Sequence, residues 1–369
     1  MNLTGSAPRT NRVAQLNAFG PGNVAIVERP LLDIKPGEVR IRVRAASLNH
    51  RDLLVARGQL SADTKLPLVP LSDCAGEVTE IGSEVSRFRI GDRVVAAQIP
   101  DWVSGRFTRE VMASALGLAA DGVLAEYFTG DQCGFVAMPD GLSFEEAATL
   151  PCAALTAWNA LFEHGDLKPG QTVLVQGSGG VSTFALQFAL AAGARVIATS
   201  GSESKLEPLR ELGATHVIHY RKQPDWSRAV LEFTDGAGVD HVVEAGGAGT
   251  LDQSIKSTAV GGTISVIWMF TGAAGTFDAL PLLTKTLRLQ GIVGGSVEML
   301  ERLSGTIEAL GIRPVIDRTF EMEDIVAAMK YLESGRHIGK IVVRVNGSEP
   351  RRHGATRAPL ASPTPGNQS

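Results

Sequence analysis

Three cysteines in 369 residues are too few, and odd in number, for a disulfide scaffold or a four-cysteine zinc lobe. Cys74, Cys133 and Cys152 are widely spaced, as suits a reducing cytoplasm. Excess charge is lacking as well. Thirty-five Lys and Arg against 39 Asp and Glu give a net charge of −4, which excludes a nucleic-acid binder working by phosphate neutralisation. Long apolar runs are missing too. The uncharged stretches Pro169 to Ala194 and Ser257 to Phe277 are broken by Pro169-Gly170, Gly177 to Gly180, Gly261-Gly262 and Gly272 to Gly275. Neither can form one apolar helix of about 20 residues, so no membrane partner is expected. Met1 to Arg12 has no apolar signal-peptide core, and a cytoplasmic location is expected.

What is present is length, a hydrophobic fraction of 44% and 41 glycines. At roughly 100–200 residues per domain, two domains are expected. Residues 1–11 and the Pro-, Ser-, Gly- and Arg-rich stretch 347–369 read as tails. Up to about residue 150, short β-like runs alternate with turns: Glu38 to Arg44 with strict polar/apolar alternation, Gly76 to Gly82, and Arg93 to Ala97. That spacing predicts a mostly β, barrel-like domain. From Thr172 onward, apolar strands alternate with helical segments, the pattern of a parallel sheet with crossover helices. The predicted strands are Val173–Gln176, Arg195–Thr199, His216–His219, Asp240–Glu244, Gly262–Trp268 and Leu287–Val293. A helix from Met322 to Ser334 and a strand from Lys340 to Val345 follow.

The sharpest motif is a strand that runs into Gly177-Ser178-Gly179-Gly180-Val181-Ser182 and then into a helix extending to Ala192. In that context Gly177 permits a tight turn, and Gly179 lets backbone approach a pyrophosphate at the helix N-terminus. Ser182 stands where the fingerprint has its third glycine. The next strand ends at Ser200-Gly201, where an NAD site would place a carboxylate for the ribose 2′-hydroxyl. Its absence, with Lys205 nearby, favours NADPH over NADH.

With both halves in view, the chain resembles the medium-chain dehydrogenase/reductase superfamily, within it the zinc-less quinone-oxidoreductase-like and alcohol-dehydrogenase-like branch. Besides the glycine loop, the matching segments are Asn49 to Leu54, Ser86 to Val94, Gly141 to Pro151, Leu155 to Trp158 and Gly339-Lys340. The resemblance implies an α/β fold in which a GroES-like β-barrel catalytic domain (12–150 and 310–346) joins a doubly wound parallel-sheet, or Rossmann, nucleotide-binding domain (151–309). It further implies an active cleft between them and a homodimer or tetramer. By the same resemblance Thr156 lies beside the nicotinamide, and Ser200, Lys205 and Tyr220 lie near the 2′-phosphate. Gly246, Ile267, Met269, Val293 and Gly295 match cofactor-contacting loops, and Lys340 lies near the pyrophosphate.

Zinc enzymes of this superfamily hold catalytic zinc with a Cys, a His and a second Cys. The corresponding positions here are Asn49, Ser72 and Cys152, with Cys74 close to the second, and Asp101 to Gly130 contains no cysteine for a structural lobe. No metal is therefore expected. Asn49 would donate to a developing oxyanion or enolate in the metal's place, with Arg51 and Asp52 as further catalytic candidates on the same segment. The implied activity is NADPH-dependent reduction of a quinone or α,β-unsaturated carbonyl. Zinc-independent alcohol/aldehyde oxidoreduction, and a non-catalytic NADPH-binding sensor or structural protein, are the alternatives.

Overall fold

The structure, a computed structural model, describes residues 10–61 and 64–345. Most of both expected tails lies outside these residues. Thr10 and Asn11, read as tail, instead begin a strand, Thr10–Leu16, paired antiparallel with Val24–Pro30. Asn11 is anchored through its side chain, which donates to the Tyr127 carbonyl at 2.8 Å and accepts the Tyr127 N–H at 3.0 Å.

The alternation in Glu38–Leu48 does what its period implies: Val39, Ile41 and Val43 are buried on the inner face. The strand continues beyond Arg44, with Ala45 entering the core shared by both sheets and Ala46 the core of the first half. It is the hub of a seven-stranded sheet with the order Ile316–Glu321, Lys340–Arg344, Glu38–Leu48, Asp73–Ile81, Arg93–Ala96, Phe135–Ala137, and Tyr127–Asp131 also pairs with the hub. The end of the described chain thus returns to its first half, with Ile341 opposite Leu48.

The second sheet has six strands, all parallel, in the order His216–His219, Arg195–Ser200, Thr172–Gln176, Val239–Glu244, Thr258–Val266, Arg288–Gly291. Thr172–Gln176 is buried along its whole length, as a central parallel strand covered on both faces must be. The strand expected at Gly262–Trp268 begins earlier and stops at Val266, which pairs with Glu244 at the end of its neighbour. Ile267 and Trp268 then leave the sheet toward the cleft.

Phe184 and Phe188, on the helix Gly180–Ala191, pack with Val173 and Val175 in a core that also contains Ala45, Ala75 and Val95 of the other sheet. Each fully buried Phe contributes about 1.5–3 kcal/mol. One core shared by both sheets fixes the cleft between them. The strand order reverses between Thr172–Gln176 and Val239–Glu244, and ligands of such sheets bind at the carboxyl ends beside that reversal. No helix among the described residues is long and apolar enough to cross a membrane.

Candidate functional site

A cleft of about 1370 Å³ opens at those carboxyl ends. Its floor is the glycine loop. Gly177 has φ +84°, a left-handed conformation that favours glycine, and its N–H donates to the Thr199 carbonyl at 2.9 Å. Gly179 has ordinary backbone angles, yet a Cβ built on it would meet no atom within 4 Å. The loop thus keeps open space at the N-terminus of the helix Gly180–Ala191, where free N–H groups and the positive dipole end favour an anion. Ser182 donates from its hydroxyl to the Gln176 carbonyl at 2.7 Å, tying helix to strand where the fingerprint has glycine. Gly339 N–H donates to the Ser178 carbonyl at 2.9 Å, joining the loop to the chain's returning segment.

One carboxylate that sequence reasoning missed shapes the cleft wall. Glu244, fully buried, accepts from Gly246 N–H (2.7 Å), Gly247 N–H (2.9 Å), the Thr250 hydroxyl (2.6 Å) and the Gln176 amide (2.7 Å). Its only signal was position, an acid ending a strand just before Ala245-Gly246-Gly247. Ile267 continues the wall with its N–H donating to the Glu244 carbonyl, and Val293 lies on it half-exposed.

At the far end the cleft is lined by Ser200, Gly201, Ser202, Lys205, Tyr220 and Arg221, and the carboxylate among the cleft's lining residues, Glu333, is paired with Arg57. Glu203, close by, is paired with Lys222. Lys205 lines the cleft, but two of its three N–H groups already donate to the carbonyls of Gly335 (2.6 Å) and His337 (2.7 Å). Burial lowers its pKa. Arg221, which sequence reasoning passed over, is exposed beside Tyr220. Its Nε lies 3.0 Å from where a Gly201 Cβ would be.

At the near end, Asn49 precedes the helix His50–Ala56 and lines the cleft, as Thr156 does; the Thr156 hydroxyl donates to the Cys152 carbonyl at 2.7 Å. The Asn49 amide oxygen accepts from the Lys340 ammonium at 2.5 Å, while its Nδ2 is buried without a partner. Because an ammonium can only donate, the amide must turn its oxygen toward Lys340 and its NH₂ away. Lys340 lines the cleft beside the glycine loop, as expected of its position. Its stem passes over Gly180, where a Cβ would lie 2.5 Å from Lys340 Cδ, but its charge points to Asn49 and the Leu48 carbonyl rather than into the glycine loop. Arg51 is buried on the cleft wall and donates to the Leu116 carbonyl at 3.1 Å.

Three expected site residues stand apart from the cleft. Met269 is half-exposed on the outer loop, and Gly295 is a packing glycine whose Cβ would lie 2.7 Å from Leu155. Asp52 caps its own helix, accepting the Asn49 N–H at 2.7 Å. Burial pushes the Asp52 carboxyl up to about 6, opposed by the charge of Arg51. A carboxyl raised in this way favours folding below its unfolded pKa, near 4, and the gain is lost as pH rises through about 6. Asp52→Asn keeps an oxygen for the cap but cannot ionise. Relative to wild type it should therefore be more stable at pH 8 than at pH 4.5, by on the order of 1–3 kcal/mol in urea unfolding. An equal difference at both pH values would show that the Asp52 charge carries no such cost.

Two histidines that sequence reasoning did not assign to the site line the cleft. His50 meets Trp268 and Phe270 edge-on, at 5.7 and 4.7 Å between ring centroids, and so bridges the two walls of the cleft. His337 also lines it, and burial, reinforced by the charge of Lys205, pushes its pKa down to about 4.

A catalytic zinc does not fit the donor set. Asn49 offers an amide already bonded to Lys340, the Ser72 hydroxyl donates to Asp73 at 2.6 Å, and only Cys152 supplies a soft ligand. Among the described residues no three His, Cys, Asp or Glu side chains cluster as a metal site.

A parallel sheet with a glycine cradle, joined to a β-rich domain across a deep cleft, defines a nucleotide-dependent oxidoreductase, and the comparisons agree. Residues 35–140 match the alcohol dehydrogenase GroES-like domain, and residues 180–309 match the domain called zinc-binding dehydrogenase. A zinc-type alcohol dehydrogenase-like protein of Schizosaccharomyces pombe is 45% identical, over 85% of this chain and 92% of its own. Among solved structures, an NAD-dependent alcohol dehydrogenase is 34% identical with a TM-score of 0.82, covering 91% of this chain and 100% of that one. The quinone oxidoreductase of Coxiella burnetii is 28% identical with a TM-score of 0.74, covering 91% and 100%. The chain belongs to the medium-chain dehydrogenase/reductase superfamily and is an NAD(P)-dependent oxidoreductase.

Proposed function

We propose that this chain is an NADPH-dependent, metal-independent reductase of quinones or α,β-unsaturated carbonyls. The observation that carries the reading is Asn49. It stands at a zinc-ligand position, its oxygen is held by Lys340, and its buried Nδ2 has no partner. A donor fixed in that way suits an oxygen that gains negative charge as the substrate is reduced. NADPH, when bound, supplies the hydride. The chain's part is to orient and exclude water. The glycine loop receives the pyrophosphate, Thr156 and Ile267 flank the nicotinamide end, and His50 with Trp268 and Phe270 narrows the mouth. Asn49 donates to the carbonyl oxygen and stabilises the enolate or hydroquinone anion that forms.

Ser200-Gly201 at the strand end, with Glu203 and Glu333 each paired to a cation, supports NADPH, with the Arg221 guanidinium as the main 2′-phosphate partner and the remaining Lys205 N–H as a second. Charge-assisted bonds of this kind contribute about 1.5–3 kcal/mol. Arg221→Ala should therefore weaken NADPH about 10–100-fold and NADH less than twofold, in fluorescence titrations. Equal losses for both nucleotides would overturn the assignment. The activity itself is tested by NADPH oxidation with quinones, enones and aldehydes, alongside metal analysis of the purified protein. Turnover confined to alcohols and aldehydes, with stoichiometric zinc, would refute the proposal.

A further inference from the structure

We propose that the Lys340 ammonium, held by the Leu48 carbonyl and facing Asp73 across 3.9 Å, supplies at this position the positive charge that a metal would supply, and acts by polarising and orienting the Asn49 amide. Lys340 is thereby a positioning residue for the substrate oxygen, and not a pyrophosphate ligand. The inference rests on the reading of Asn49 given above.

The three positions that the resemblance equates with zinc ligands all bond into one ion pair. Asn49 Oδ1 accepts from Lys340 Nζ at 2.5 Å, Ser72 Oγ donates to Asp73 Oδ1 at 2.6 Å, and the Cys152 N–H donates to Asp73 Oδ2 at 3.3 Å. Lys340 Nζ and Asp73 Oδ2 are 3.9 Å apart, and both side chains are at most 2% exposed. The remaining contacts fix rather than neutralise the charge: the Leu48 carbonyl accepts from Lys340 at 2.7 Å, and Ser47 Oγ donates to Asp73 at 3.4 Å. At 3.9 Å the carboxylate is beyond hydrogen-bonding reach, so the ammonium's short contacts are to neutral oxygens. One is the amide of Asn49. Donation into an amide oxygen draws electrons from its nitrogen and makes the N–H groups stronger donors, an effect enlarged where water is excluded. The cation is also held to the cofactor loop, because its stem lies over Gly180 and the residue before it bonds Ser178. Substrate oxygen and cofactor cradle are thus aligned by one side chain.

The test compares Lys340→Met, Lys340→Arg, Asp73→Asn, Asn49→Ala and the Asn49→Ala/Lys340→Met double variant. NADPH binding is read by fluorescence, and turnover with 1,4-naphthoquinone and trans-2-hexenal. Lys340→Met should lower kcat about 10–100-fold while NADPH Kd stays within twofold. Lys340→Arg should recover most of the loss, and Asp73→Asn should lower kcat severalfold at unchanged Kd. In the Asn49→Ala background, Lys340→Met should cost less than a further twofold. A tenfold rise in NADPH Kd for Lys340→Met, or losses that simply multiply in the double variant, would overturn the inference. Full activity of Asn49→Ala would instead refute the reading of Asn49. If Lys340→Met fails to fold, Lys340→Gln, which retains a polar head without charge, carries the same comparison.

Discussion

Asn49→Ala is expected to lower kcat about 10²–10³-fold, the loss typical of one donor to a developing oxyanion. NADPH affinity should change by less than about twofold, because the amide touches the reacting oxygen and not the nucleotide. Truncation could act in another way, by loosening the helix His50–Ala56. Alanine keeps one half of the capping box, the Asn49 backbone N–H to Asp52, and loses the other, the Asn49 side chain accepting from the Asp52 N–H. It should therefore cost about 0.5–2 kcal/mol of stability, read separately by urea unfolding. Asn49→Asp makes the distinction sharper. A carboxylate keeps the bond to Lys340 and the side chain's shape but has no N–H to offer, so its kcat should fall at least as far as that of the alanine variant. A variant lacking the NH₂ that keeps more than half of wild-type turnover would remove Asn49 from the chemistry.

The parts of this site that were legible in the sequence are those imposed by backbone geometry. The glycine loop announced itself because a strand, a φ +84° turn at Gly177 and a helix N-terminus must follow one another in sequence. The strand His216–His219 is read to the residue, its β-branched pair Val217-Ile218 flanked by a histidine on each side. Side-chain direction was not legible. Lys340 lies within reach of both the glycine loop and Asn49, and only the fold decides which its ammonium meets. Lys205 and Arg221 are both cations near the end of Arg195–Ser200. The difference between them is that the turn at Gly335 to His337, more than 100 residues away in sequence, offers carbonyls to Lys205 and not to Arg221. The sequence leaves His50 evenly between a solvated loop residue and a site residue until Trp268 and Phe270 are brought across the cleft to meet it.

The second large effect is expected at Gly179. Most glycines in a tight loop are fixed by the protein itself. At Gly180 a Cβ would collide with Lys340 Cδ and lie 3.1 Å from Ala153 Cβ, and Gly177 needs its positive φ. Gly179 is different, with φ −78° and ψ −174°, angles open to any residue, and no protein atom near a built Cβ. Nothing in the protein's own packing requires glycine there. Valine should therefore cost at most about 1 kcal/mol of stability, the price of a poorer helix N-cap. Its methyl groups would, however, stand in the space before the N–H groups of the helix, where the pyrophosphate must lie against backbone. NADPH binding should weaken at least about 100-fold, which is about 2.7 kcal/mol. Urea unfolding and NADPH fluorescence titration of Gly179→Val separate the two quantities. Loss of binding at nearly unchanged stability is the result expected of a residue kept small for its ligand. Wild-type affinity for NADPH would place the nucleotide elsewhere.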